Sequence, residues 1–109
     1  MSGSEKLYEN KIKKYLKDKG AYCVKYFGCN YSTAGTPDIL ACVNGYFLAI
    51  EVKAQSGTPS ELQLEKIAQI RKAGGFGYVA YPSGWSKLKT IIDSLLEESF
   101  DRESEVELK

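Results

Sequence analysis

The sequence predicts an α/β domain: a small mixed sheet with a central β-hairpin and helices on both faces. Three observations carry that prediction. Two apolar runs, Ile39–Val43 and Tyr46–Val52, flank Asn44-Gly45, a dipeptide whose residues both tolerate the positive φ of a tight hairpin turn. Three other stretches repeat apolar residues at helical spacing. The resulting order, α-β-β-β-α-β-α, interleaves the two kinds of element. At 109 residues, 43% of them hydrophobic, the chain suits one domain over 1–109, with an ordered core at 4–99 and an acidic tail at 100–109.

Residues 4–19 read as the first helix, with Ser4 able to cap it and Gly20 able to end it. Tyr8, Ile12, Tyr15 and Leu16 form its apolar stripe. Glu9 borders that stripe, because its i+3 and i+7 neighbours are Ile12 and Leu16. It is either a satisfied edge residue or a third acid aimed at a site. Residues 21–27 read as a strand with Ala21, Cys23 and Val24 facing in, followed by a loop of small residues at 28–36. Gly35 leaves room for close approach of another group, and Pro37, lacking an N–H, suits the first position of a strand.

In the second hairpin strand Leu48, Ile50 and Val52 point one way, and Phe47, Ala49, Glu51 and Lys53 the other. Apolar residues on both faces imply cover by helices on both. After a loop at 54–59, Ser60 opens a second helix whose stripe is Leu64, Ile67, Ala68 and Arg71, stopped by Gly74-Gly75. Ser60 and Gln63 have the spacing of a capping box. Residues 76–81 read as a strand and Pro82-Ser83-Gly84 as a turn, with Ser83 capping a last helix. The stripe of that helix, Trp85, Leu88, Ile91, Ile92, Leu95 and Leu96, is wide enough for a core and an interface. The tail from Phe100 is expected to fray or to cross to a partner chain.

The hairpin also organises the candidate chemistry. If Val43 faces Tyr46, Asp38 falls directly across from Glu51. Facing Cβ atoms in such a pair lie ~5 Å apart. Two carboxylates there repel unless a cation joins them or one takes up a proton. Lys53, two residues past Glu51, lies on the same face. A lysine bridging two acids at a solvated hairpin end is the plainer reading of such a set. The same three groups also form a reactive-site arrangement, which the features below favour.

Composition narrows the chemistry further. There is no histidine, so triads with His and His-bearing zinc or nuclease sites are excluded. The cysteines are Cys23, Cys29 and Cys42; an odd number without a CxxC suggests neither disulfides nor a zinc knuckle. Cys23 and Cys42 are expected to pack as small hydrophobes in strands, with Cys29 more exposed. The net charge of +1 is unevenly spread: residues 1–30 carry +4, residues 31–92 carry +2 and residues 93–109 carry −5. A basic front half suits either a solvated helix face or a phosphate backbone. No apolar signal core opens the chain and no run reaches the ~20 residues of a membrane helix, so an intracellular, cytoplasmic location is expected.

Pro37-Asp38, followed after a hairpin by Glu51-Val52-Lys53, resembles the PD-(D/E)XK nuclease superfamily, and the element order is similar to its restriction-endonuclease-like core. Gly35-Thr36-Pro37-Asp38 resembles the G-x-P-D form. Ser60-x-x-Gln63 resembles the S-x-x-Q element of the virus-type replication-repair nuclease (VRR-NUC) domain. The resemblance covers roughly Glu5 to Pro82. Small stand-alone members of that domain are associated with phages, which implies a phage or bacterial host setting, and resemble homodimeric junction-cleaving enzymes.

The residues fit that chemistry. Phosphodiester hydrolysis needs a nucleophilic water and neutralisation of growing negative charge, and a hard divalent cation on oxygen ligands supplies both. Asp38 and Glu51 offer two carboxylates, and Mg²⁺ or Mn²⁺ suits them better than zinc. The resemblance implies the Val52 carbonyl as a third ligand and Glu9 as an outer or second-metal ligand. Lys53 is expected to orient or deprotonate the water or to stabilise the phosphorane, and Gln63 to hold the water or Lys53. The expectation is therefore a metal-dependent endonuclease acting on branched DNA such as Holliday junctions, as a homodimer. The alternatives are a flap, single-strand or restriction-like nuclease, or a non-catalytic nucleic-acid-binding module.

Overall fold

The computed structural model describes residues 3–25, 34–98 and 105–109. The chain runs α1 (Gly3–Asp18), β1 (Tyr22–Lys25), β2 (Ile39–Val43), β3 (Tyr46–Val52), α2 (Glu61–Lys72), β4 (Phe76–Ala80), a short 3-10 turn (Pro82–Gly84), α3 (Trp85–Leu96) and β5 (Glu107–Leu108). The strands form one mixed sheet in the order β1-β2-β3-β4-β5. The pairs β1–β2 and β2–β3 are antiparallel, whereas β3–β4 and β4–β5 are parallel. The expected α/β architecture is thus present, with one strand more than the sequence indicated. The end of the strand expected at 21–27, most of the following loop and Cys29 lie outside the described residues. No described helix is long and apolar enough to cross a membrane.

The hairpin has the predicted register, with Val43 opposite Tyr46 and Ile39 opposite Ile50. Its turn uses positive φ at both Asn44 (52°) and Gly45 (86°), which matches the twist of the flanking strands. The Asn44 side-chain amide also donates to the Leu95 carbonyl at 3.1 Å, tying the turn to α3. Gly20 ends α1 at φ 85°, and the Ala21 N–H closes back on the Leu16 carbonyl at 2.9 Å.

Two apolar layers follow from the strand period of two. On one face Ile39, Ala41, Val43, Leu48, Ile50 and Val52 pack with Tyr8, Ile12 and Leu16 of α1 and with α3. On the other, Ile67 of α2 packs with Val79 and Tyr81. Alternation puts Asp38, Ala49, Glu51 and Lys53 on the α2 side of the hairpin.

Several expectations need correction. Of the stripe expected on α2 only Ile67 is buried; Leu64 and Ala68 are exposed. Glycine sets this rotation: a Cβ on Gly77 would press on Ile67, so the bare backbone there forms a notch that receives that residue. Ser83 does not cap α3, which starts from Gly84 without a side-chain cap. The α3 stripe offers no interface, because Leu88, Ile91, Ile92 and Leu95 are all buried and Trp85 and Leu96 pack against the same core. Val24 and Cys42 face outward, with Tyr22 and Phe47 beside them on the part of the sheet that α2 leaves open. The tail does not fray at residues 105–109: β5 pairs with β4, and Leu108 is fully buried.

Candidate active site

Asp38 and Glu51 meet at the open end of the hairpin. Asp38 lies one residue before β2 and is held by backbone: its carboxylate accepts the Val52 N–H at 2.9 Å. Glu51 is nearly sealed, with 3% of its surface exposed. One of its oxygens, Oε2, lies 3.5 Å from the Lys53 ammonium and accepts the Gln63 side-chain amide at 3.2 Å. The other, Oε1, is buried and has no hydrogen-bond partner in the structure.

The electrostatics follow from that crowding. Burial pushes the Glu51 carboxyl up, the nearby Asp38 charge pushes it further, and Lys53 pulls it back only in part. The outcome is a carboxyl raised to about 8. Burial and the like charge of Asp38 together favour the protonated form of Glu51 by more than Lys53 alone offsets.

Lys53 follows β3 directly, and its N–H donates to the Ala80 carbonyl of β4 at 3.0 Å. Its aliphatic stem runs close to Gly57, in a turn closed by Gly57 N–H on the Ala54 carbonyl at 2.8 Å. Gln63 serves two purposes at once. Its oxygen accepts the Ser60 N–H at 2.9 Å while Ser60 Oγ accepts the Gln63 N–H at 3.1 Å, completing the capping box. Its NH₂ group remains free to reach Glu51. Gly35, at φ 83°, does permit a close approach, and the group approaching is Leu62 in the first turn of α2.

Glu9 is fully buried in a different setting. It pairs with Lys25 at 2.6 Å, Lys13 at 3.2 Å and Lys6 at 3.9 Å. Burial alone would raise its carboxyl; hydrogen bonds and charge from Lys25 and Lys13 outweigh that and hold it below the usual range. Among the described residues no three acids or cysteines converge as a metal cluster, so Glu9 does not join Asp38 and Glu51. The first-helix acid that reaches the reactive end is Glu5, which accepts the Ala54 N–H at 3.3 Å. Its only sequence signal was its place one turn before Glu9, and that is too weak to single it out.

The donor set suits a hard divalent cation. Glu51 Oε1 is a buried acceptor lacking a donor, a second carboxylate lies beside it, and the chain has no histidine to compete as a nitrogen ligand. The two carboxylates and the adjacent Val52 carbonyl would hold such an ion, with water and substrate oxygens completing it.

Comparison with known proteins bears on the fold and the family. Among solved structures the chain is similar to Hjc from the archaeal hyperthermophile Archaeoglobus fulgidus, described as a Holliday junction resolvase. The two share 28% identity with a TM-score of 0.55, and the alignment covers 70% of this chain and 66% of that one, just under two thirds of its length. No curated protein matches the chain. The family model for the archaeal Holliday junction resolvase Hjc matches residues 2–104, a family within the PD-(D/E)XK-type superfamily that the hairpin motifs resemble. The chain therefore belongs to the Hjc family of archaeal Holliday junction resolvases.

Proposed function

We propose that this protein is a divalent-metal-dependent endonuclease that cuts branched DNA, with four-way junctions as its substrate. The observation that carries the reading is the Asp38–Glu51 pair, with its buried, unpartnered Glu51 Oε1 and the Lys53 ammonium 3.5 Å from the same carboxylate. Family membership and the likeness to the Archaeoglobus resolvase support the substrate.

Bound Mg²⁺ or Mn²⁺ supplies Lewis-acid stabilisation of the scissile phosphate and a more acidic water. The chain's residues do the rest. Asp38, clipped to the Val52 N–H, and the ionised Glu51 would hold such an ion together with the Val52 carbonyl. Lys53, its ammonium 3.5 Å from Glu51, would orient the attacking water or stabilise charge growing on the phosphoryl oxygens. Gln63 keeps Glu51 Oε2 oriented, leaving Oε1 for the metal. Glu9 acts as an outer ligand only by giving up Lys25 or Lys13 for the ion, since those lysines already neutralise it. The narrower VRR-NUC reading, with a phage or bacterial setting, rests on Gly35-Thr36-Pro37-Asp38, Glu51-Val52-Lys53 and Ser60-x-x-Gln63 taken together, and an intracellular location goes with a DNA substrate.

The active form is a homodimer, so that two sites nick opposed strands. The surface for it is the open sheet face of Tyr22, Val24, Cys42 and Phe47, next to a groove of about 500 Å³ lined by Leu40, Phe47 and Ile70. A panel of end-labelled duplex, flap, fork and four-way junction DNA with Mg²⁺ tests the activity. Paired nicks confined to the junction are expected. Absence of cleavage on every substrate would overturn the reading.

A further inference from the structure

The C-terminal strand is the part of the fold that neither the motifs nor the family match explains, since that match ends at residue 104. It is nonetheless closely built in. Leu108 is fully buried in the larger core, and Glu107 accepts the Tyr81 hydroxyl at 2.7 Å. The Arg71 guanidinium donates to the Glu105 carbonyl at 3.1 Å. The backbone pairs with one short stretch of β4: Val79 N–H donates to Val106 O at 2.8 Å and Tyr81 N–H to Leu108 O at 3.1 Å.

That stretch is also the support of the reactive end of β3. Glu51 lies beside Val79 and Val52 beside Ala80, and the Lys53 N–H donates to Ala80 O at 3.0 Å. The Ala80 carbonyl and the Tyr81 N–H belong to one peptide group, which is planar and rigid. A continuous chain of hydrogen bonds therefore runs from Leu108 C=O through this peptide to the Lys53 N–H. Such chains polarise and strengthen one another. Gly84 makes it possible: any Cβ at that position would overlap the Leu108 carbonyl.

We infer that β5 is a positioning element for the reaction: Leu108, through the Ala80–Tyr81 peptide, sets the backbone from which Lys53 reaches Glu51 and the phosphate. This rests on the nuclease reading above for its catalytic consequence, but its structural half stands independently. Gly84 has a negative φ, so Gly84→Ala introduces no backbone strain and acts by pushing the Leu108 carbonyl away.

The test pairs amide hydrogen exchange with steady-state cleavage of a labelled junction by the full chain. In Gly84→Ala the Lys53 and Tyr81 amides should exchange at least about tenfold faster while Ile50 and Leu48 keep their protection. kcat should fall about tenfold to a hundredfold with KM unchanged, as expected when a reacting group is misplaced by a fraction of an ångström. If Gly84→Ala does not fold, Glu107→Ala, which removes the partner of the Tyr81 hydroxyl and of the exposed Lys109 ammonium, takes its place with the same readouts. Unchanged Lys53 exchange, or changed exchange with unchanged kcat, overturns the inference. Inactive wild-type protein with accelerated Lys53 exchange in the variant would instead sink the nuclease reading and leave the brace standing.

Discussion

Asp38 accepts the backbone N–H of Val52 at 2.9 Å, so the first acid of the site is fastened to the strand that carries the second. The distance between the carboxylates is therefore set by the ladder and not by flexible side chains. The pair is thereby held in a defined arrangement, and the consequences of its proposed role can be measured.

Replacing Asp38 or Lys53 by alanine should reduce Mg²⁺-dependent cleavage by about 10²- to 10⁴-fold. Circular dichroism should show an intact fold in both, since neither side chain belongs to the apolar core. Full activity in either variant would remove it from the site.

Glu51 titrates near 4.5 when unperturbed and near 8 in the fold. Between those values the folded protein keeps a proton that the unfolded chain releases. Metal-free protein should therefore be most favoured below the lower value and lose stability as pH rises through the interval. Melting in chelator across that range should show a falling Tm, with Mg²⁺ recovering it at the alkaline end. Glu51→Gln should flatten the profile.

The two duties of Gln63 can be separated. Ser60→Ala removes the cap, costs about 1 kcal/mol of stability and leaves Gln63 able to reach Glu51. Gln63→Ala should cost a similar amount and also weaken Mg²⁺ activation. Equal activity in the two variants would assign Gln63 to the cap alone.

Glu9→Ala strands Lys25 and Lys13 beside a buried site and should cost about 3 kcal/mol, measured by urea unfolding. As an outer ligand Glu9 would also govern the metal, and half-saturation by Mn²⁺ would rise. An unchanged metal requirement would confine it to the ion cluster.

The dimer surface is tested by charge. Phe47→Lys and Tyr22→Lys place ammonium groups on the exposed sheet face without touching either core layer. Sedimentation at micromolar concentration should show a dimer for the wild type and a monomer for each variant. A wild-type monomer would overturn the homodimer.

What the chain determined by itself was the hairpin and everything that propagates from it. A two-residue turn and a side-chain period of two are local properties, and together they bring Asp38, Glu51 and Lys53 to one face. Gln63 was readable for the same reason, because a capping box spans four residues. Only the tertiary structure decided which faces are covered. The rotation of α2 depends on a glycine notch in β4, the neutralisation of Glu9 depends on Lys25 from another element, and the bare sheet face depends on where α2 stops. It also decided the fate of the tail: a two-residue strand has too little local preference to form unless β4 offers free N–H groups and Gly84 leaves space for the Leu108 carbonyl.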